Sequence, residues 1–120
     1  MKPLTHAVSV HPYFQVRPGQ MPAARAILRE FVDRTAREEG VLYYEFTLSG
    51  DLIFCREAYV NAEAFLAHAA DVAGILDRML AVASLLRLEI HGPAAELAKL
   101  QGPVAALNPT WFTWECGVTG

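Results

Sequence analysis

Cysteine is scarce in this chain: Cys55 and Cys116 are the only two, and they form no Cys-x-x-Cys pair. That excludes a disulfide-stapled scaffold and a cysteine-based zinc site as the source of stability, and each thiol is read as a small buried apolar group. Ser/Gly-rich stretches, charge blocks and internal repeats are also missing, so one domain spanning residues 1–120 around one core is expected. Long apolar runs are absent. The longest, near Met79, is far too short to span a bilayer, and Met1 to Phe14 carries no sustained apolar segment. The expectation is a cytoplasmic protein with no membrane partner.

Positive charge is in short supply as well, with 10 Lys and Arg against 13 Asp and Glu and a net charge of −3. A nucleic-acid footprint is not expected from that balance. Arg25, Arg29, Arg34 and Arg37 interleave with Glu30, Asp33, Glu38 and Glu39, the pattern of a solvated helix face with local ion pairs. No Gly-rich phosphate loop, dinucleotide fingerprint or Ser/Cys triad motif occurs. The four histidines lack metal-ligand spacing, so neither a metal nor a cofactor is expected. Only His11 and His91, on strands expected to be neighbours, leave a narrow opening for one.

What is abundant is apolar side chain, 53% of residues against 19% charged. From His6 to Val16 the pattern alternates, Val8, Val10, Phe14 and Val16 against Ser9, His11, Tyr13 and Gln15, which is strand periodicity interrupted at Pro12. Arg17 to Gln20 is a turn cluster. Beyond it Pro22 suits a helix start, and Ala24, Ile27, Leu28, Phe31 and Thr35 recur at helical steps until Gly40, read as the stop. Val41–Leu48 and Leu52–Val60 flank Ser49-Gly50-Asp51, which predicts a hairpin whose turn has glycine at its first central position. That register sets Glu45 opposite Arg56 as an ion pair, and Tyr44 opposite Glu57 as a hydrogen bond.

Asn61 is read as the cap of a second helix carrying Phe65, His68, Ala69, Val72, Leu76 and Met79 on one stripe, with a kink near Asp71 or Gly74. Leu86 to His91 reads as a fourth strand, Pro93 to Leu100 as a short helix and Thr110 to Cys116 as a last strand. The order is that of an α+β, ferredoxin-like βαββαβ fold with an antiparallel sheet, core about 6–91, and an extra C-terminal helix and strand within 92–120. Both faces of its hairpin are apolar. Leu42, Tyr44, Phe46, Leu48, Ile53, Cys55 and Tyr59 lie on one side, and Tyr43, Phe54 and Ala58 surround the Glu45/Arg56 pair on the other. A homodimer packed sheet against sheet would cover the second face. Trp111, Phe112 and Trp114 are read as core or interface aromatics.

The stretches Val16-Arg17-Pro18-Gly19, Glu39 to Glu45, Glu57-Ala58-Tyr59 and Ala64 to His68 resemble the antibiotic biosynthesis monooxygenase family of dimeric α+β barrel proteins. The resemblance implies a homodimer with a small-molecule pocket between sheet and helices in each subunit. Some members of the family oxidise polycyclic phenols without metal or flavin, others degrade haem, and others isomerise small sugars. The chain departs from the family pattern at Glu39, where proline is frequent, and at Tyr59, where tryptophan is. Its second helix has His68 and Arg78 but lacks the tryptophan of the haem-degrading branch.

His68 on the inner stripe, with Tyr44, Glu57 and Tyr59 on one face of the hairpin, forms the candidate catalytic set. His68 is the base or proton relay, Glu57 orients it, and the two tyrosines donate hydrogen bonds. The bland alternative is a satisfied core network around a buried histidine. The expected function is cofactor-independent monooxygenation of an aromatic or electron-rich small molecule. A small-molecule isomerase on the same scaffold and a non-catalytic ligand-binding or structural dimer stand beside it.

Overall fold

A computed structural model of the chain describes residues 4–118. The elements run β1 (Val8–Val16), α1 (Met21–Thr35), β2 (Val41–Ser49), β3 (Leu52–Tyr59), α2 (Ala62–Asp71), α3 (Ala73–Val82), β4 (Ala83–Gly92), α4 (Ala94–Leu100) and β5 (Thr110–Thr113), with one 3₁₀ turn at Ala105–Leu107. One open five-stranded sheet, ordered β2-β3-β1-β4-β5, carries the helices on one face. The first four strands pair antiparallel, as the βαββαβ order requires, whereas the added β5 lies parallel to β4.

The hairpin register is the one the sequence implies: Tyr44 faces Glu57, Glu45 faces Arg56 and Ser49 faces Leu52. Gly50 makes the reversal at φ 61°, a left-handed geometry that costs glycine little. Near the strand's entry the pairing slips between Val41 and Tyr43, leaving Leu42 as the odd residue and 38% exposed rather than on the inner face. β1 runs straight through Pro12, and its irregularity comes one residue later, between Tyr13 and Phe14 on the β4 side.

Alternation along β1 buries Val8, Val10, Phe14 and Val16 against two connected apolar clusters. One cluster joins Phe14 to Ile27, Phe31, Ile53 and Met79 under α1 and α3. In the other, Val10, Tyr59, Phe65 and Ile90 meet Leu97 and Leu100 of α4, so the C-terminal helix completes the core instead of trailing from it.

Two helix ends differ from the periodicity. α1 stops at Thr35, five residues before Gly40, and the next backbone bonds, Arg37 N to Arg34 O and Glu38 N to Thr35 O, are tight turns. Gly40 has a different job: a Cβ there would collide with the Ala64 Cβ, so its bare backbone lets the start of β2 approach α2. The second helix breaks at Val72, between the two kink positions read from sequence, into α2 and α3. Asn61 caps α2 as expected, its Oδ1 accepting the Ala64 N–H at 2.9 Å.

The charged face of α1 makes its ion pairs across helices and not along itself. Arg34 binds Asp71 at 2.7 Å, and Glu30 binds Arg78 at 2.6 Å. Cys55 is buried, but Cys116 is exposed, contrary to its reading as a core residue. Of the C-terminal aromatics, Trp111 packs against the core, Phe112 stacks flat on His91 at 4.4 Å, and Trp114 is 62% exposed. No helix among the described residues is long and apolar enough to cross a membrane.

Candidate functional site

Between the sheet and the broken helix α2/α3 lies a cavity of about 100 Å³. Most of its wall is apolar, from residues such as Val10, Phe14, Phe31, Phe65, Leu76 and Leu88, and its polar edge is formed by Tyr44, Glu57 and His68 beside Cys55. Strand alternation puts Cys55 and Glu57 on the face that meets the helices. Helical spacing brings His68 down from α2 between Phe65 and Val72. The break at Val72 follows directly, and Ala69 before it and Leu76 after it both line the cavity.

Three of the four sequence-derived candidates therefore share the cavity wall, and the fourth lies behind it. Tyr59 is fully buried and does not line the cavity; its hydroxyl donates to Glu57 Oε1 at 2.6 Å. Tyr44 faces Glu57 in register but makes no hydrogen bond with it, because the Glu57 carboxyl turns to Tyr59. Instead the Tyr44 ring packs against His68, centroids 5.1 Å apart, as does the Tyr59 ring, also at 5.1 Å.

The hydrogen-bond partner of His68 is not Glu57. His68 Nε2 stands 3.8 Å from Glu57 Oε1, beyond hydrogen-bond range, while its Nδ1 meets both oxygens of Glu38 at 2.9 and 3.1 Å. In the sequence Glu38 is only one more charge on a helix face. Its entry into the site depends on α1 ending at Thr35, after which the tight turns take Glu38 out of helical phase and toward α2. No local pattern in the sequence marks it; the close approach of Gly40 to Ala64 of α2 is a tertiary contact that brings the neighbouring residues to that helix.

Burial sets the protonation of this group. It pushes the Glu57 carboxyl up to about 7, with the Tyr59 hydroxyl and the Cys55 thiol pulling it partly back. His68 is pushed down to about 4 by the same desolvation, against the pull of the Asp71 charge. Glu38 is raised to about 7, first by burial and then by its hydrogen bond to Asp71 and the charges of Asp71 and Glu57. Tyr44, Tyr59 and Cys55 are held well above their ordinary ranges, first by burial and next by the Glu57 charge. Near neutral pH the site thus holds an uncharged imidazole and two carboxyls that each gain or lose a proton readily.

His11 and His91 do come together on the opposite sheet face, ring centroids 4.8 Å apart in an edge-on contact, with Glu89 Oε1 3.6 Å from His91 Nε2. No group of three or more His, Cys, Asp or Glu side chains among the described residues is arranged to hold a metal ion.

Comparison with known proteins extends this picture. The chain is similar to MupZ from Pseudomonas fluorescens, with 34% identity and a TM-score of 0.92 over 96% of this chain and 95% of that one. A conserved protein from Methanosarcina mazei shares the fold at 15% identity and a TM-score of 0.69, covering 74% of this chain and 94% of its own. Rv0793 from Mycobacterium tuberculosis does so at 23% identity and a TM-score of 0.65, covering 72% and 94%. No curated protein matches the sequence. The family model for antibiotic biosynthesis monooxygenase matches residues 7–72, from the first strand to the helix break, and the chain belongs to that family.

Proposed function

We propose that this protein is a proton-transfer enzyme acting on a small, largely apolar organic molecule held between sheet and helices. The observation that carries the reading is Glu57: a carboxyl buried in an apolar wall, tethered by Tyr59 and facing a neutral histidine across 3.8 Å. A substrate atom seated beside both Glu57 and His68, on the cavity side of the pair, would meet two proton-exchanging groups at once.

His68 alone, held down near 4, is a weak base, but its contact with Glu38 changes what the pair can accept. With Glu38 ionised, Nδ1–H donates to it and Nε2 carries the free lone pair. A proton taken at Nε2 is balanced by passing the Nδ1 proton to Glu38, whose own affinity lies near 7. The imidazole ends neutral, so the dry pocket never has to hold an uncompensated cation. Tyr44 and the Glu57 carboxyl then supply hydrogen bonds to the anion left on the substrate.

Family membership supports monooxygenation as the use of that anion. The substrate carbanion or phenolate supplies electrons to dioxygen, an activated methylene becomes a carbonyl, and its two hydrogens leave with the second oxygen atom as water. A redox-neutral reading, isomerisation, is favoured by the pairing of Glu57 with His68 at 3.8 Å: a carboxyl that burial raises to about 7 beside a neutral imidazole suits moving a proton from one substrate atom to another. We also propose that the chain works as a homodimer through its open sheet face, where Tyr13, Phe54 and His11 form an aromatic surface.

Oxygen-electrode traces with a small single-ring quinol test the chemistry. Uptake by the wild type, reduced about 10²- to 10⁴-fold in His68→Ala with the fold retained, is the expected result. Turnover indifferent to removal of dioxygen would replace oxygenation by isomerisation, and ligand-induced thermal stabilisation without any turnover would remove the enzyme reading altogether.

A further inference from the structure

The cavity wall is not supplied by the βαββαβ core alone. Val104 and Leu107, from the segment that follows α4, close part of it. Leu107 lines the cavity while remaining 37% exposed, the most exposed of the lining side chains, so it stands at the rim with one side inward and the other in solvent. Val104, by contrast, is buried in the apolar cluster with Phe65, Leu88 and Leu97.

The segment is held firmly on both sides. Upstream, Leu97 and Leu100 of α4 are buried in the core, and the Glu96 carboxylate accepts the free N–H of Ala62 at the start of α2 at 2.9 Å, with Lys99 beside it at 3.1 Å. Downstream, Asn108 takes a left-handed backbone, φ 51°, and β5 then pairs with β4. The rim residue therefore sits on a short strap, Gln101–Pro109, clamped at each end.

We infer that the strap is the specificity element of this site, and that Leu107 sets the length of the apolar molecule that fits. The inference rests on the cavity being the substrate site. At about 100 Å³ the space admits only a small or slender guest, so one side chain at the rim decides whether another carbon finds room. The ligand class it favours is an uncharged molecule with one polar end, to meet Glu57 and His68, and a thin apolar remainder.

A ladder of straight-chain alcohols from 1-propanol to 1-octanol, titrated by isothermal calorimetry into the full-length protein, tests this without a known substrate. In the wild type, affinity should rise about fourfold for each added methylene while room lasts and then stop rising. Leu107→Ala should move that stop to longer chains by one or two carbons, and Leu107→Trp should move it to shorter ones. Because Leu107 is partly exposed, both variants should fold; if Leu107→Trp does not, the Ala variant carries the test in the direction of longer chains. An unmoved stop in a folded variant overturns the role of Leu107 alone. Failure of every alcohol to bind the wild type overturns both this inference and the placing of the substrate in the cavity.

Discussion

Arg56 and Glu57 are consecutive on β3, and they live in opposite worlds. Arg56 points to the open face of the sheet and pairs with Glu45 at 2.6 Å, both side chains more than half exposed. Glu57 points to the helices, is 5% exposed, and carries a carboxyl raised to about 7. The histidines divide in the same way. His68 is packed between aromatic rings and lowered to about 4 by desolvation, whereas His11 is half-buried on the open face and lowered by burial and by the neighbouring His91. A displacement of one residue along a strand thus separates chemistry from solvation. The lesson is that face, set by a two-residue period, decides what a titratable group can do before any neighbour does.

The largest effect separating the faces should appear in stability against pH. The unfolded chain releases the Glu57 proton near 4.5, while the folded chain keeps it until about 7. Folding stability is therefore lost as pH rises through that window, and the loss is complete above 7, amounting to about 3 kcal/mol. Glu57→Gln cannot ionise and still accepts the Tyr59 hydrogen bond. Its advantage over the wild type in urea denaturation should grow from near zero at pH 4.5 to about 3 kcal/mol at pH 8. His68 acts in the opposite sense: held down from 6.5 to about 4, it costs stability as pH falls through that range. The comparison must accordingly be made variant against wild type at each pH. A constant difference would mean that Glu57 is solvated and ionised in the folded protein.

Much of this arrangement can be read from the sequence because it depends on short-range periods. Alternation places Glu57 and Tyr44 on one face, the glycine in the Gly50-Asp51 turn fixes the hairpin register, and helical spacing puts His68 inward. What escapes are features decided by tertiary contact. The end of α1 depends on Glu38 and Gly40 meeting α2, which no local propensity reports, and so the sequence points to Glu57 as the partner of His68 where the fold supplies Glu38. Cys116 stands outside the core because its strand ends at Thr113. Leu42 leaves the inner face through a one-residue slip that the alternating pattern cannot reveal. Val104 and Leu107 carry no periodic signal at all, and only the folding back of the C-terminal segment brings them to the cavity.

A smaller effect should mark the open face itself. Phe54 packs there against Tyr13 at 4.7 Å and stacks near His11 at 5.9 Å, while its neighbours Ile53 and Cys55 are buried on the other side. If a second copy covers this surface, Phe54→Asp places an unpaired carboxylate in a dry interface and should weaken self-association by at least about tenfold, measured by sedimentation equilibrium. Monomer stability should change little, because the residue has no place in the core. Association that persists undiminished would move the interface elsewhere.

The smallest effect is reserved for the pair that began the comparison. Arg56 and Glu45 meet at good hydrogen-bond distance, yet each is more than half in water, where the attraction is screened and two long side chains must be held still to make it. Removing the charge in Arg56→Gln should therefore shift the melting temperature by no more than about 2 °C. The same variant locates the edge of the proposed interface. Arg56 lies on the Phe54 face, two residues further along β3, so sedimentation equilibrium should give the wild-type association constant if the pair remains at the solvated rim. A tenfold loss of association would place the pair inside the contact. There the Glu45 carboxylate, left alone by the substitution, would be a desolvated charge, and the interface would extend across the whole hairpin.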